Sequence, residues 1–331
     1  MVSIRDVAKH AGVAISTVSK VLNNYPNVSE ETRKKVNASI KELNFIPNTI
    51  ASALSSKQAG RVALLMNLNT STQVIDEIGM QYLVGAISQC KEMHLDVITV
   101  FYSMIKDKNL EELEQYFRSQ SITGIIVYGI SKDDVILQDL ITSKQFKMVV
   151  IDALFVNENT STVWIDHKKA QMDVARKTIL MNQGRSNRIL YISGKRNGYV
   201  TDRRIEGMKE LAEELNLELT VRGGEFSESK ARKITFECAK EQDIIVCASD
   251  LMAIGAMKAL IDMDIFKPVC GFDGITLMGY VGKQMNTIRQ NFSSISTQAV
   301  KELARLMSGG EGNEIILPHE IVRLRYEDII R

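Results

Sequence analysis

The sequence lacks most of the patterns that are typical of disulfide-bonded proteins, metal-binding proteins and membrane proteins. Its 331 residues include only four cysteines, and their positions show neither metal-ligand nor redox spacing. We interpret these cysteines as reduced core residues and expect neither metal nor cofactor. No apolar run approaches the roughly 18 residues of a membrane span, and the N-terminus has no signal-peptide core. These absences predict a cytoplasmic protein without a membrane partner. The cysteines are Cys90, Cys238, Cys247 and Cys270.

Signatures of catalysis are also missing. The sequence contains no G-x-S-x-G nucleophile elbow, no G-x-x-x-x-G-K-[ST] phosphate loop and no G-x-G-x-x-G dinucleotide fingerprint. The four histidines are far apart in the sequence, and we expect them at the surface or in loops. The sequence therefore predicts that the protein is not an enzyme. The histidines are His10, His94, His167 and His319.

Charge is nearly balanced over the whole chain but not at its beginning. The net charge is +1, whereas residues 1–58 carry eight Lys and Arg against four Asp and Glu. Such an asymmetry indicates that the first segment meets an anionic partner.

The first 45 residues have the periodicity of three short helices. Apolar residues recur at helical intervals, Gly12 fits the turn between the first two helices, and Ser29 can cap the third. The second helix, near "ISTVSKVLNN", is rich in small polar side chains and Lys, which suits the major groove of DNA. The pattern alone leaves open an ordinary three-helix bundle that makes protein contacts.

From Arg61 onward the pattern changes to apolar strands alternating with amphipathic helices. Segments such as "RVALLMN", "GIIVYGI" and "NRILYISG" read as buried strands, and residues 77–94, 167–183, 204–215 and 250–261 as helices. Continuous apolar strands joined by helices predict parallel sheets covered on both faces. The number of strands indicates two doubly wound lobes that divide near residue 160, with a ligand site between them.

The order of motifs is similar to that of one known family. "DVAKHAGV" is followed by "STVSKVLN", "VSEETRKKV", the Pro47-Asn48 pair and Ala51-x-x-Leu54, and later by "RRIEG", "SDLMAIGAMKAL" and "GFDG". With these motifs the chain resembles the lac repressor/galactose repressor family over essentially its whole length. The resemblance implies an all-α helix-turn-helix headpiece with a hinge helix. Two α/β lobes of the periplasmic-binding-protein type would follow it.

The resemblance also implies domain boundaries. The headpiece would span residues 1–58, with the hinge helix at about 48–56, and an effector-binding and dimerisation domain would span 61–331. Lobe one would comprise about 61–160 plus 291–318, and lobe two about 161–290 plus 319–331.

In the headpiece, the resemblance assigns contacts with double-stranded operator DNA. Base edges would be met by the start of the second helix and by two residues further along it, and phosphates by neighbouring hydroxyls. The hinge would insert Leu54 into the minor groove, and pairing of two hinges implies a homodimer on a pseudo-palindromic operator. The candidate DNA-binding residues are Ser3, Ile15, Ser16, Thr17, Ser19, Lys20, Asn23, Asn48 and Leu54.

In the lobes, the resemblance assigns an effector site. Arg204, in an Arg-x-x-Gly motif with Gly207, would bind hydroxyls or an anionic group, and Asp273 would accept hydroxyl hydrogen bonds. Asp250 can cap a helix as readily as it can contact ligand, and an inward-facing Arg203 would favour a phosphorylated ligand. The candidate effector-binding residues are Asp152, Arg204, Phe226, Ser249, Asp250, Asp273 and Phe292.

Some positions depart from the family pattern. The segment that often begins Asp-Asn in the family reads Asp166-His167 here, and Ser249 stands where Asn is frequent. The single tryptophan, Trp164, lies in a predicted strand and is expected in the core. These departures leave the fold unchanged but do not indicate a subfamily.

The sequence thus predicts a transcription repressor of carbohydrate-use genes that a sugar or sugar-derived inducer releases from DNA. The alternative is a corepressor-dependent regulator that senses a phosphosugar, a purine or a phosphocarrier protein. An inducer and a corepressor differ only in which of two conformations the small molecule favours, and the sequence does not determine that sign.

Overall fold

The structure is a computed structural model that describes residues 3–22, 28–43, 45, 61–67, 77–182, 187–281 and 284–324. The chain divides into two compact units, Met1–Gly60 and Arg61–Arg331. The hinge helix predicted at residues 48–56 lies outside the described residues.

The first unit contains three helices, α1 (Ile4–Ala11), α2 (Ile15–Leu22) and α3 (Glu30–Glu42). Helix α1 begins with a capping box, in which the Ser3 side chain accepts the Asp6 N–H and the Asp6 carboxylate accepts the Ser3 N–H at 2.8 Å. It ends at Gly12, whose φ of 66° is a left-handed conformation that glycine adopts without steric cost. The predicted turn at Gly12 is therefore present.

A small apolar core holds these helices together. The fully buried Val7, Val18 and Val36 come one from each helix, and Val21 and Phe45 pack beside them. Because α2 buries Val18 and Val21 on one side, its opposite side faces solvent, as the helical periodicity predicted.

The second unit contains twelve strands, eight α-helices and three short 3-10 helices among its described residues. The strands are β1 (Arg61–Met66), β2 (Asp96–Phe101), β3 (Ile122–Tyr128), β4 (Lys147–Ile151), β5 (Thr160–Ile165), β6 (Arg188–Ser193), β7 (Glu218–Gly223), β8 (Ile244–Cys247), β9 (Val269–Cys270), β10 (Asn286–Arg289), β11 (Glu314–Leu317) and β12 (Glu320–Arg323). The helices are α4 (Glu77–Glu92), α5 (Leu110–Ser119), α6 (Val135–Ser143), α7 (His167–Met181), α8 (Tyr199–Glu214), α9 (Glu228–Cys238), α10 (Asp250–Asp262) and α11 (Phe292–Met307).

The strands form two six-stranded sheets, one in each lobe. The first has the order β11-β5-β4-β3-β1-β2 and is parallel throughout. The second has the order β12-β10-β9-β8-β6-β7, and only β12 runs antiparallel to its neighbour. In the first sheet, alternate residues of β1 and β3 pack against α4 and α11 on one face and against α5 and α6 on the other. Both lobes therefore have the doubly wound architecture that the sequence predicted.

The division between the lobes differs from the prediction. Strand β5 pairs with β4 and β11 in the first sheet, so Thr160–Ile165 belongs to lobe one, and the chain crosses to lobe two after Ile165. The prediction placed this crossing at about residue 160. It was early because the apolar pattern of β5 identifies a buried strand but not the sheet in which that strand pairs. The chain returns to lobe one after Arg289 and crosses again between Leu317 and Glu320.

Among the described helices, none has both the length and the apolar character needed to span a lipid bilayer.

Candidate ligand cleft and nucleic-acid interface

A cleft of about 740 Å³ lies between the two lobes of the second unit. Its walls are helical residues and loops that follow the carboxyl ends of strands in both sheets, which is where open parallel sheets bind ligands. Lobe one contributes polar and aromatic side chains, and so does lobe two. The lining includes Asn67, Tyr82, Ser131, Asp152 and Phe292 from lobe one, and Lys195, Tyr199, Arg204, Phe226, Ser249, Asp273 and Gln290 from lobe two.

Arg204 is the cation at the floor of this cleft. Its side chain is 4% exposed, and its Nη1 donates to the Ala248 carbonyl oxygen at 2.5 Å. The guanidinium carbon lies 3.6 Å from the centre of the Phe272 ring, and Nη2 lies 4.0 Å from an Asp273 carboxylate oxygen. The guanidinium is thus fixed in place by a carbonyl, a ring and a carboxylate.

Gly207 has a packing role rather than a contact with the cleft. A Cβ at this position would lie 2.5 Å from the Lys168 carbonyl oxygen, so only glycine lets α8 approach α7 this closely. The spacing of Arg204 and Gly207 therefore combines a cleft-facing cation with the helix contact that positions it.

Asp273 provides the acceptor beside Arg204. It has a positive φ of 123°, and its Oδ1 accepts from Gln290 Nε2 at 3.1 Å. Burial raises the pKa of Asp273 to about 8, although the neighbouring Arg204 guanidinium opposes that rise. Near neutral pH the side chain can therefore donate or accept a hydrogen bond.

Asp273→Asn is expected to make the stability of the protein less dependent on pH. Between pH 3.8, the ordinary pKa of an aspartate side chain, and about pH 8, the raised pKa of Asp273, the folded protein binds more protons at this group than the unfolded chain does. The stability that depends on this group is therefore complete below about pH 4 and falls as the pH rises to about 8, by at most about 1.4 kcal/mol per pH unit. Denaturant unfolding at pH 5, 6.5 and 8 measures the slope.

The asparagine variant should lose part of this slope but not all of it. Burial also raises the pKa of Asp250, to about 6, so this second carboxyl group continues to titrate in the variant. Identical slopes in the wild type and the variant would contradict the assignment of the raised pKa to Asp273.

Aromatic rings form another part of the lining. Phe292 packs edge-on against Tyr82 with ring centroids 5.2 Å apart, and both side chains are buried. Phe226 lies across Gly194, where any Cβ would overlap its ring. Rings of this kind can pack against the apolar face of a sugar.

Four of the nine non-glycine residues with positive φ in the described part of the chain line the cleft. Asp152, Glu225, Phe226 and Asp273 line it, and each has a positive φ although none is glycine. Such conformations are costly and persist where the surrounding structure enforces them, commonly at binding sites.

Asp152 joins the two lobes through hydrogen bonds. Its carboxylate accepts from the Tyr82 hydroxyl at 3.2 Å and lies 2.9 Å from Nε2 of His167. The prediction that His167 lies at the surface or in a loop was wrong, because this first residue of α7 is completely buried where the chain enters lobe two. The sequence offered one signal, a histidine two residues after the end of a buried strand.

Ser249 and Asp250 are adjacent in sequence but have different roles. Ser249 lines the cleft and caps α10 by accepting the Met252 N–H. Asp250 is fully buried outside the lining and accepts from the Gly274 N–H at 2.7 Å, the Ile275 N–H at 2.9 Å and the Thr287 hydroxyl at 2.6 Å. The structure therefore corrects the effector role predicted for Asp250: it orders the loop that carries Asp273.

Arg203 does not face the cleft. Its Nη1 donates to Glu206 at 2.6 Å, and its guanidinium lies 5.9 Å from the centre of the Trp164 ring. Trp164 is buried, as expected, and donates to Glu314. The condition that would have favoured a phosphorylated ligand, an inward-facing Arg203, is not met.

Sequence reasoning missed the contacts that join the two rims of the cleft. On one side, Asn197 Nδ2 donates to both oxygens of Asp133 at 2.9 Å, and Lys132 pairs with Asp202. On the other side, the Glu77 carboxylate accepts from the N–H and the hydroxyl of Thr276. Because these partners are far apart in the sequence, no local pattern could have paired them.

In the first unit, the candidate DNA contacts lie on the outward side of α2. Ile15 is 45% exposed, Ser16 and Lys20 are also exposed, and Thr17 and Ser19 are half-buried. Ser3 is exposed at the start of α1, where its hydroxyl takes part in the capping box. Three further candidates, Asn23, Asn48 and Leu54, lie outside the described residues.

Comparisons with known proteins match both units of the chain to members of one family. Residues 3–48 match the family described as bacterial regulatory proteins, lacI family. The ribose operon repressor of Halalkalibacterium halodurans is 31% identical over 317 residues, which cover 90% of this chain and 89% of that protein. Catabolite control protein A of Staphylococcus xylosus is 28% identical over 97% of each chain. The fold matches that of the lac repressor dimer bound to operator and the anti-inducer ONPF, with a TM-score of 0.82 at 22% identity over 97% of this chain and 98% of that one.

Proposed function

Because the chain belongs to the lacI family of bacterial regulatory proteins and is a DNA-binding transcription regulator, we propose that it represses carbohydrate-use genes. In this proposal a sugar binds between the lobes and releases the protein from its operator. One observation carries the proposal: a single cleft brings together aromatic rings, a fixed guanidinium and carboxyl groups from both lobes.

The chemistry of the cleft favours a neutral polyhydroxyl ligand. Gln290 is 4% exposed, and its Oε1 has no hydrogen-bond partner within the described part of the chain. A ligand hydroxyl would satisfy this buried acceptor, while Arg204 and Asp273 would donate to and accept from others.

The same lining disfavours a phosphorylated ligand. Six carboxyl side chains line the cleft against three cationic ones, and two of the cations, Lys195 and Arg196, are exposed. A phosphate deeper in the cleft would meet the Asp152 carboxylate as well as the single buried guanidinium of Arg204. We therefore place the phosphosugar, purine and phosphocarrier alternatives second.

We further propose that the regulator works as a homodimer on a pseudo-palindromic operator. Met80, Val84 and Ile87 are about half exposed along one face of α4, an apolar surface that a second copy would cover. A two-fold dimer presents two copies of α2, so its operator should contain two related half-sites.

A thermal-shift screen tests the sugar proposal. Free pentoses, hexoses and disaccharides are compared with their phosphorylated forms, and each compound that stabilises the protein is then tested for release of an operator selected from random duplex DNA. A free sugar at about 100 times its Kd should add about 2.7 kcal/mol of stability and raise Tm by several degrees. Stabilisation by sugar phosphates alone would support the alternative, and sugar binding without release of DNA would sink the proposed mechanism.

Lys20→Ala is expected to weaken operator binding and to relax base preference at one position of each half-site. A lysine on the outward side of α2 can donate to guanine, and such a contact contributes about 1–3 kcal/mol of discrimination. Competition binding with operators substituted at single positions measures the change. Lys34→Ala, which removes the same charge from exposed α3, is the matched control and should weaken all sequences alike. Unchanged discrimination in Lys20→Ala would remove this residue from base readout.

A further inference from the structure

A chain of hydrogen bonds runs from lobe one to lobe two beside the cleft. Tyr82 and Asp152 belong to lobe one, and His167 and Arg204 belong to lobe two. The Tyr82 hydroxyl donates to Asp152 Oδ2 at 3.2 Å, and Asp152 Oδ1 lies 2.9 Å from His167 Nε2. On the other side of the ring, His167 Nδ1 lies 3.2 Å from Arg204 Nη2.

The partners of the imidazole determine its tautomer. A guanidinium has donors but no acceptor, so Nδ1 must accept from Arg204. Nε2 then carries the ring proton and donates it to the Asp152 carboxylate. Burial lowers the pKa of His167, although Asp152 opposes this effect, and a lowered pKa favours the neutral ring.

Packing holds the imidazole in this orientation. His167 is fully buried, and its ring centroid lies 6.4 Å from that of Trp164 and 5.9 Å from that of Phe272. Phe272 also supports the Arg204 guanidinium. His167 is outside the lining of the cleft, so it can act on a ligand only through its neighbours.

We propose that His167 is a positioning residue that orients the Arg204 guanidinium in the cleft and ties it to Asp152 of the opposite lobe. This inference rests on the proposed function, which assigns the effector contact to Arg204. Because His167 follows directly on the crossing after Ile165, a change in the angle between the lobes would shift the imidazole relative to Asp152 and alter how Arg204 is held. Effector contact and lobe orientation would thereby depend on one ring.

The tautomer can be tested without any ligand. The intact protein is prepared with histidine carrying 15N only at Nε2 or only at Nδ1, and 1H–15N correlation spectra are recorded. His167 should give a directly bonded N–H signal with the first label and none with the second. The signal is assigned by its loss in His167→Phe, and a directly bonded proton at Nδ1 would overturn the proposal.

Substitutions at His167 separate the two hydrogen bonds. The Oδ1 of His167→Asn can take the place of Nδ1 and still accept from Arg204, whereas the longer amide of His167→Gln reaches toward Asp152. The readout is the rate of rotation of the Arg204 guanidinium, from 15N-arginine spectra assigned with Arg204→Lys. Rotation should become about tenfold faster or more in His167→Phe and His167→Gln and should stay slow in His167→Asn. The reason is that losing a hydrogen bond to a charged group lowers the barrier to rotation by at least the equivalent of a tenfold change in rate.

His319→Asn is the matched control, because His319 forms another histidine–carboxylate contact in lobe two, 3.0 Å from Asp173. It should leave Arg204 unchanged. Slow rotation in His167→Phe or His167→Gln, or fast rotation in His167→Asn, would overturn the proposal. Since no sugar is present, these results do not depend on whether the cleft binds a sugar.

Discussion

Arg204→Ala is expected to abolish the response to sugar while sparing the affinity for operator DNA in the absence of sugar. The guanidinium is the buried cation of the cleft, held by the Ala248 carbonyl, the Phe272 ring and His167. Two lost hydrogen bonds to a charged donor, at about 1.5–3 kcal/mol each, would weaken sugar binding by a hundredfold or more. Calorimetry measures sugar binding, and operator titration with and without sugar measures the response.

The neighbouring arginine provides the matched control for this experiment. Arg203→Ala removes the same side chain from the same helix, but Arg203 pairs with Glu206 outside the cleft. This variant should keep its sugar response. Its Tm measures how much stability the protein loses when an arginine is removed from α8 without affecting the cleft. If Arg204→Ala binds and responds to sugar like the wild type, the effector site lies elsewhere.

The fold could be predicted almost completely from local patterns. Strands such as Arg61–Met66 and Ile122–Tyr128 are apolar runs bounded by polar residues, and the helices between them have a buried face. What local patterns do not contain is pairing between distant segments. The segment "STVWID" was predicted as a strand, yet its assignment to lobe one depends on its pairing with Lys147–Ile151 and with Glu314–Leu317, the latter about 150 residues further along the chain.

The candidate effector site was predictable where its residues follow strands, and less so where a role depends on distant partners. Of the seven residues predicted to contact effector, all but Asp250 line the cleft. Asp250 is instead held by N–H groups of Gly274 and Ile275, which approach it only in the folded lobe. His167 shows the opposite error, because it was left out of the candidate site. Its contacts with Asp152 and Arg204, which lie on different lobes, exist only in the folded protein.

Val18→Asp is expected to eliminate operator binding by unfolding the first unit, while the second unit continues to bind sugar. Val18 is fully buried in a cluster of six buried hydrophobic residues. An unpaired buried carboxylate costs several kcal/mol, whereas a core of this size rarely supplies more than about 3–5 kcal/mol. The substitution therefore exceeds what the unit can tolerate. Since each unit is compact and has its own buried core, the sugar-dependent thermal shift should be retained.

Ile15→Asp separates loss of structure from loss of contact. It places the same carboxylate on the same helix, but at an exposed position where water can solvate it. Both variants should bind operator poorly, since the DNA phosphates would repel a negative charge at Ile15. Only Val18→Asp should also lose the dispersed amide signals of residues 3–43 in a 1H–15N spectrum. If Val18→Asp keeps those signals, the fold of α2 does not depend on this core. The buried side of α2 could then no longer be used to predict which side faces DNA.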